Sequence, residues 1–253
     1  MTMTQAKYWN ALIAPGITSI VGAGGKTTVL SKLVEYGRLQ GQPTLVTTTT
    51  KLYESQVAQW NPYYGEDFNR ADELCTAAVH QGRCAAWFGG IDGTKVTALS
   101  SRQIDDMHKV HPNWQILVEA DGAREKWLKA PKETEPVIPK ETTMTIGVIN
   151  LQMLGQAIDE EHVHNMAEVS EVMERRVGAV VTPHMLARLV LHPHGLFQYS
   201  RGRKILFGTG YDTVQHRMID AFLDCLAGAT IDGIVLADGY KASCEIRRHI
   251  QCR

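Results

Sequence analysis

The stretch ITSIVGAGGKTTVLSKLVEYGRLQGQPTLVTT, residues 17–48, decides how this chain is read. Ile17–Val21 is apolar and β-branched, the pattern of a short buried strand. Gly22-Ala-Gly-Gly25 follows as a glycine-rich turn. From Thr27 to Leu39 the pattern becomes helical, because Leu30, Leu33 and Val34 fall at i, i+3 and i+4 on one face. Gly41 is placed to stop that helix. Thr44–Thr48 then reads as a second strand, rich in β-branched residues. Strand, helix and strand in this order form a βαβ unit, which requires a parallel strand pair.

The same alternation continues outward. Ala71–His80 reads as partly helical. Arg83–Phe88 and Lys95–Leu99 flank Gly89–Gly93 as the arms of a hairpin. Ser100 and Gln103 have capping-box spacing for a helix to about Val110, ended by Pro112. Gln115–Glu119 is a further buried strand, and Met144–Ile149 another. Charged, proline-containing Ala123–Lys140 reads as an ordered surface loop, and Glu160–Arg176 as mostly helical. Thr182-Pro183 fits N-cap and N1 of a helix to about Leu191. Lys204–Gly208 is a strand, Val214–Leu226 a helix and Gly233–Leu236 a last strand. The expected fold is therefore α/β: a three-layer, P-loop-type fold with a mainly parallel sheet and an inserted β-hairpin.

Bulk properties bound the functions. At 253 residues the chain fits one α/β nucleotide-binding domain over 1–253, with a soft boundary near 139–155. Its formal charge of −1 provides no global basic field for nucleic acid or anionic membrane, so neither is expected as a partner. The five cysteines are odd in number and without CxxC spacing, which disfavours a disulfide framework or a structural zinc site. Met1–Pro15 has only a short apolar stretch around Ala11–Ala14, and no run reaches the ~20 residues that span a bilayer. A cytoplasmic location is expected.

The chemistry concentrates in Val21-Gly22-Ala23-Gly24-Gly25-Lys26-Thr27-Thr28. A polyphosphate needs inward-pointing backbone N–H groups, and glycines permit its close approach. A helix N-terminus behind the loop adds favourable dipole. Lys26 supplies charge to the terminal phosphates, and the Thr27 hydroxyl suits Mg²⁺. The strict GxxxxGK[ST] spacing fails, because Ile20 stands at its first glycine; the loop is a shorter GxGGKTT. A second signal is the strand Gln115–Glu119, followed by Ala120-Asp121-Gly122. It carries Glu119 and Asp121 to the C-terminal edge where parallel sheets bind ligands. One carboxylate would hold Mg²⁺ and the other orient water. A third is Thr47–Thr50 with Lys51: Thr49 could touch phosphate or metal and Lys51 could neutralise charge, while threonine is also simply a good strand residue. His162 and His164, beside Asp159–Glu161, and the pair His192 and His194 read as polar surface, and the cysteines as small core residues. No Asn-Lys pair follows a late strand, where Gly208-Thr209-Gly210 stands instead. ATP is therefore the default nucleotide, with GTP left open.

Several blocks together resemble the selenium-dependent molybdenum hydroxylase accessory proteins, a bacterial family. They are VGAGGKTT (Val21–Thr28), LVTTTTK (Leu45–Lys51), LVEADGA (Leu117–Ala123), LKAPKETEPVIP (Leu128–Pro139), DEEHVH (Asp159–His164) and VVTPHML (Val180–Leu186). The resemblance implies a nucleotide-binding helper in maturing a selenium-containing molybdenum hydroxylase, with that enzyme or its cofactor as client. Thr134-Glu135-Pro136 stands where family members tend to have His-Glu-Pro. Within the proline-rich block, Lys129 and Glu135 are candidate substrate contacts.

Three hypotheses follow. The first is a Mg²⁺-dependent NTPase or ATP-dependent transferase, with Lys26, Glu119 and Asp121 as its catalytic residues. The second is a non-hydrolysing, nucleotide-switched chaperone or binding module. The third is a metal- or selenium-handling protein. The oligomeric state is left open.

Overall fold

A computed structural model describes residues 3–239 and 244–252. In chain order its helices and strands begin with α1 (Met3–Asn10), β1 (Gly16–Gly22), α2 (Lys26–Leu39) and β2 (Thr44–Thr48). Next come β3 (Leu52–Tyr53), α3 (Glu54–Val57), β4 (Tyr63–Tyr64), α4 (Phe68–His80), β5 (Ala85–Phe88), β6 (Gly90–Asp92) and β7 (Lys95–Thr97). They are followed by α5 (Ser101–Val110), β8 (Gln115–Glu119), β9 (Leu128–Lys129), β10 (Thr142–Asn150), β11 (Val163–His164) and α6 (Met166–Met173). The last are α7 (Pro183–Leu191), β12 (Arg203–Thr209), α8 (His216–Cys225), β13 (Gly233–Ala237) and β14 (Ile246–Gln251). The strands form a mostly parallel sheet with flanking helices, consistent with the expected three-layer α/β class.

The chain folds into two compact units. One holds residues up to Ile20, Leu30–Gly122 and Val137–Met144; the other holds Val21–Val29, Ala123–Pro136 and Thr145 onward. In the first, strands run in the order β1-β8-β2-β5-β4, and each neighbouring pair is parallel. Both faces of these strands are covered, so Ile17, Ile20, Leu45, Val46, Ile116, Leu117 and Val118 are buried. In the second unit the order is β10-β12-β13-β14, with β12–β13 parallel and β14 antiparallel. Its core includes Ile146, Val148, Leu206, Phe207, Val235 and Leu236.

Local signals survive folding. Ser100 Oγ accepts from Gln103 N, and the Gln103 side chain reaches back to Ser100 N, completing the capping box of α5. Thr182 caps α7 with Pro183 in its first turn.

Three expectations need correction. Of the expected hairpin arms, Lys95–Leu99 holds one (β7) but Arg83–Phe88 is not the other. Ala85–Phe88 is fully buried and joins the parallel sheet, while β6 and β7 pair antiparallel around Gly93 (φ 61°). β7 also pairs with β3, making a small three-stranded sheet. Ala123–Lys140 is a surface loop only in part: Arg124, Glu125, Lys132, Glu133 and Lys140 are exposed, but Leu128, Lys129, Ala130, Pro131, Pro136 and Pro139 are buried and β9 pairs with β11. One pair of its charges is neutralised inside: Lys129 Nζ stands 2.8 Å from Glu135 Oε2. Finally, Glu160–Arg176 is helical only over α6, because Val163–His164 is drawn into β11 and Glu174 turns left-handed (φ 52°). Also unread in the sequence were α1 and the polar strand β14.

Candidate functional site

The glycine loop is shaped by sterics that the local sequence only hints at. β1 ends at Gly22 with φ 93°, and Gly24 and Gly25 also lie at positive φ, 80° and 137°. These are conformations that side chains resist. Space is closed as well. A Cβ on Gly22 would stand 2.2 Å from Val148 O, and one on Gly24 2.4 Å from Asn150 Cβ and 2.9 Å from Trp127 O. The loop is tied down where it passes: Ala23 N donates to Val148 O at 3.0 Å. Thr209 Oγ1 donates to Gly24 O at 2.6 Å, with Ile149 O also within reach at 3.3 Å. Val148, Asn150 and Thr209 brace the loop although no sequence motif marks them. Their positions near the ends of β10 and β12 are the signal that could have found them.

Lys26 opens α2 and is only 4% exposed, and its Nζ donates to Gly22 O at 2.7 Å. The ammonium is thus folded back across the loop. Thr27 and Thr28 fall in the first turn of the helix, at the positive end of its dipole. Among the expected residues, Gly22, Ala23, Gly24, Gly25, Lys26, Thr27 and Thr28 form one continuous element in one unit.

The others belong to the second group of candidates, in the other unit. There the parallel register sets Ile20, Glu119 and Thr48 level across β1, β8 and β2, at the C-terminal ends of the strands. Glu119 and Asp121 are 5% and 3% exposed. Thr48 Oγ1 donates to Glu119 O at 2.7 Å, and Thr49 N to the same oxygen at 3.1 Å. The Thr49 hydroxyl donates to Val137 O (2.7 Å), and Lys51 forms an exposed ion pair with Asp92 (2.7 Å). Both side chains therefore have protein partners of their own.

The histidine and cysteine side chains have local roles. His162 Nδ1 lies 2.7 Å from Asp159 Oδ1, and its ring packs on Trp127. Burial, followed by the Lys129 ammonium, pulls His164 below the usual histidine range. Burial pushes the Cys75 thiol up to about 12, which keeps it neutral. Cys225 is exposed, against the reading of every cysteine as a core residue. Among the described residues no group of three or more His, Cys, Asp or Glu could hold a metal ion, and no helix is long and apolar enough to cross a membrane.

Fold and site define an α/β protein whose first strand passes through a sterically locked glycine loop into a buried lysine and a helix. The family model described as YqeC protein matches residues 18–167, and the chain belongs to the YqeC family. A relative from Escherichia coli (strain K12), named "Uncharacterized protein YqeC", is 31% identical over 184 residues, covering 73% of this chain and 71% of its own length. The matched region contains the loop, Glu119, Asp121 and the Lys129–Glu135 pair.

Proposed function

We propose that this chain binds a nucleoside triphosphate, ATP by default, together with Mg²⁺ at Gly22–Thr28. In this reading it acts as an NTPase or ATP-dependent transferase that assists maturation of a selenium-dependent molybdenum hydroxylase. The observation that carries the nucleotide reading is the cradle itself. Gly22, Gly24 and Gly25 lie at positive φ immediately before α2, and the Lys26 ammonium folds back over the loop. Such a turn brings backbone close to an anion and supplies one positive charge to it. The residues fit a polyphosphate: a positive-φ glycine backbone can present N–H groups to it, Lys26 neutralises charge, and the Thr27 hydroxyl suits Mg²⁺. Bound Mg²⁺ would offset negative charge on the transferring phosphate. Glu119 and Asp121 are assigned to metal or water on chemical grounds, as carboxylates following a parallel strand. The client assignment rests on the ordered sequence blocks that resemble the accessory-protein family.

Calorimetric titration of Mg²⁺-ATP and Mg²⁺-GTP into wild type and Lys26→Ala tests this reading. Wild type is expected to bind one nucleotide near micromolar, about −8 kcal/mol, and the variant to lose about 1.5 kcal/mol or more. Wild type that binds neither nucleotide overturns the reading. If ATP governs binding to the client hydroxylase with no turnover, the switched chaperone replaces the NTPase.

A further inference from the structure

We propose a second binding site, for a small planar aromatic anion, in a cavity of about 290 Å³ beside the edge strand β4. Trp60, Tyr63, Tyr64 and Arg83 line it, and the buried Cys75 and Ala86 lie among its deeper residues. This pocket lies within one unit, is made of residues separate from the glycine loop, and is independent of the nucleotide reading.

Its chemistry narrows the ligand. Tyr63 and Tyr64 follow one another on β4 and point to opposite faces, so Trp60 and one of the two tyrosines offer ring surface for stacking a flat ring. The Arg83 guanidinium makes hydrogen bonds to Gln81 Oε1, at 3.1 Å from Nε and 2.8 Å from Nη2. Among the described residues no carboxylate lies within ion-pairing distance of it, so its charge is not neutralised by the protein. Arginine is suited both to paired hydrogen bonds with a carboxylate or phosphate and to stacking on a ring. The Cys75 thiol, held neutral by burial, adds no opposing charge. Two carboxylates lie behind the lining and have partners there: Glu54 accepts from the Tyr64 hydroxyl at 3.3 Å, and Asp72, beside Cys75, lies 2.5 Å from His111 Nε2.

The wall is also held in place. Tyr63 and Tyr64 are in parallel register with Trp87 and Phe88. Trp87 Nε1 donates to Gly65 O at 2.7 Å, pinning the chain just after β4. Preorganised aromatic walls reduce the ordering entropy that binding would otherwise cost. Size sets the upper limit. A volume near 290 Å³ lies at the bottom of the range of ligand pockets, about 300–1,000 Å³, so a one- or two-ring system with one acidic group fits and a nucleoside triphosphate does not.

Quinoline-2-carboxylate is a suitable probe, with uncharged quinoline as its control, titrated at neutral pH while tryptophan fluorescence and NMR shifts are followed. The carboxylate is expected to bind saturably with a Kd below about 1 mM, and Arg83→Gln to weaken it about tenfold. Leu74→Trp, which fills the cavity from its half-buried lining, should abolish binding while circular dichroism shows the fold retained. Three results would each overturn the proposal: no saturable binding, equal binding by quinoline and its carboxylate, or binding that survives Leu74→Trp in a folded protein.

Discussion

Gly22 shows how much a single position can constrain. Its φ of 93° is awkward for any side chain, and the carbonyl of Val148 would stand 2.2 Å from an added methyl group. Backbone cannot swing away as a flexible side chain can. Gly22→Ala should therefore destabilise the protein by about 2–3 kcal/mol, read from the urea midpoint. Gly93→Ala is the fair comparison: φ is 61°, yet nothing lies within 4 Å of the new Cβ. Only the conformational cost of about 1 kcal/mol then applies. Equal losses at the two positions would mean that the loop is not clamped by β10.

At the scale of elements, β9 and β11 are short and depend on what surrounds them. Lys129 is wholly buried because Glu135 accepts its charge, and Asn165 Nδ2 approaches the same carboxylate at 3.3 Å. His164 is the register partner of Lys129. Burial and that ammonium hold its folded-state pKa below 6.5, the unfolded value. The folded protein therefore binds this proton less readily than the unfolded chain. The stability concerned is fully present above about pH 6.5 and is lost as pH falls through the window beneath it. His249 on β14 is lowered by burial and Arg203, and acts in the same direction. Replacing His164 by Asn should flatten the decline in unfolding free energy between about pH 7 and pH 5. An unchanged slope in chemical denaturation at a series of pH values would sink the assignment.

For the whole molecule, chain connectivity is the controlling fact. The backbone passes from one unit to the other after Ile20, Val29, Gly122, Pro136 and Met144. Three of these crossings fall inside β1, α2 and β10, so a single strand or helix contributes to both units. Neither unit can be excised as a continuous piece, and neither can unfold without breaking an element of the other. Thermal unfolding is expected as one transition, with far-ultraviolet dichroism and tryptophan fluorescence coinciding. Two separated transitions would contradict this coupling.

Much of the fold was legible locally. Ile17–Thr48 announced strand, glycine turn, helix and strand, because periodicity and turn chemistry act over a few residues. The caps at Ser100 and Thr182 were readable for the same reason. So was the loop that carries Lys26. The remainder depended on distant partners. Lys129 looks solvated until Glu135 and Asn165 are beside it. The polar run Ile246–Gln251 becomes a strand because it pairs with β13 and its arginines find Asp212 and Asp220. Val148, Asn150 and Thr209 meet the glycine loop from more than a hundred residues away. Sequence alone determined the α/β class and the place of the glycine loop between a strand and a helix, since both follow from short-range backbone preferences. Which charges are buried and what clamps the loop were decided by tertiary structure, because desolvation and steric closure exist only after distant segments pack together.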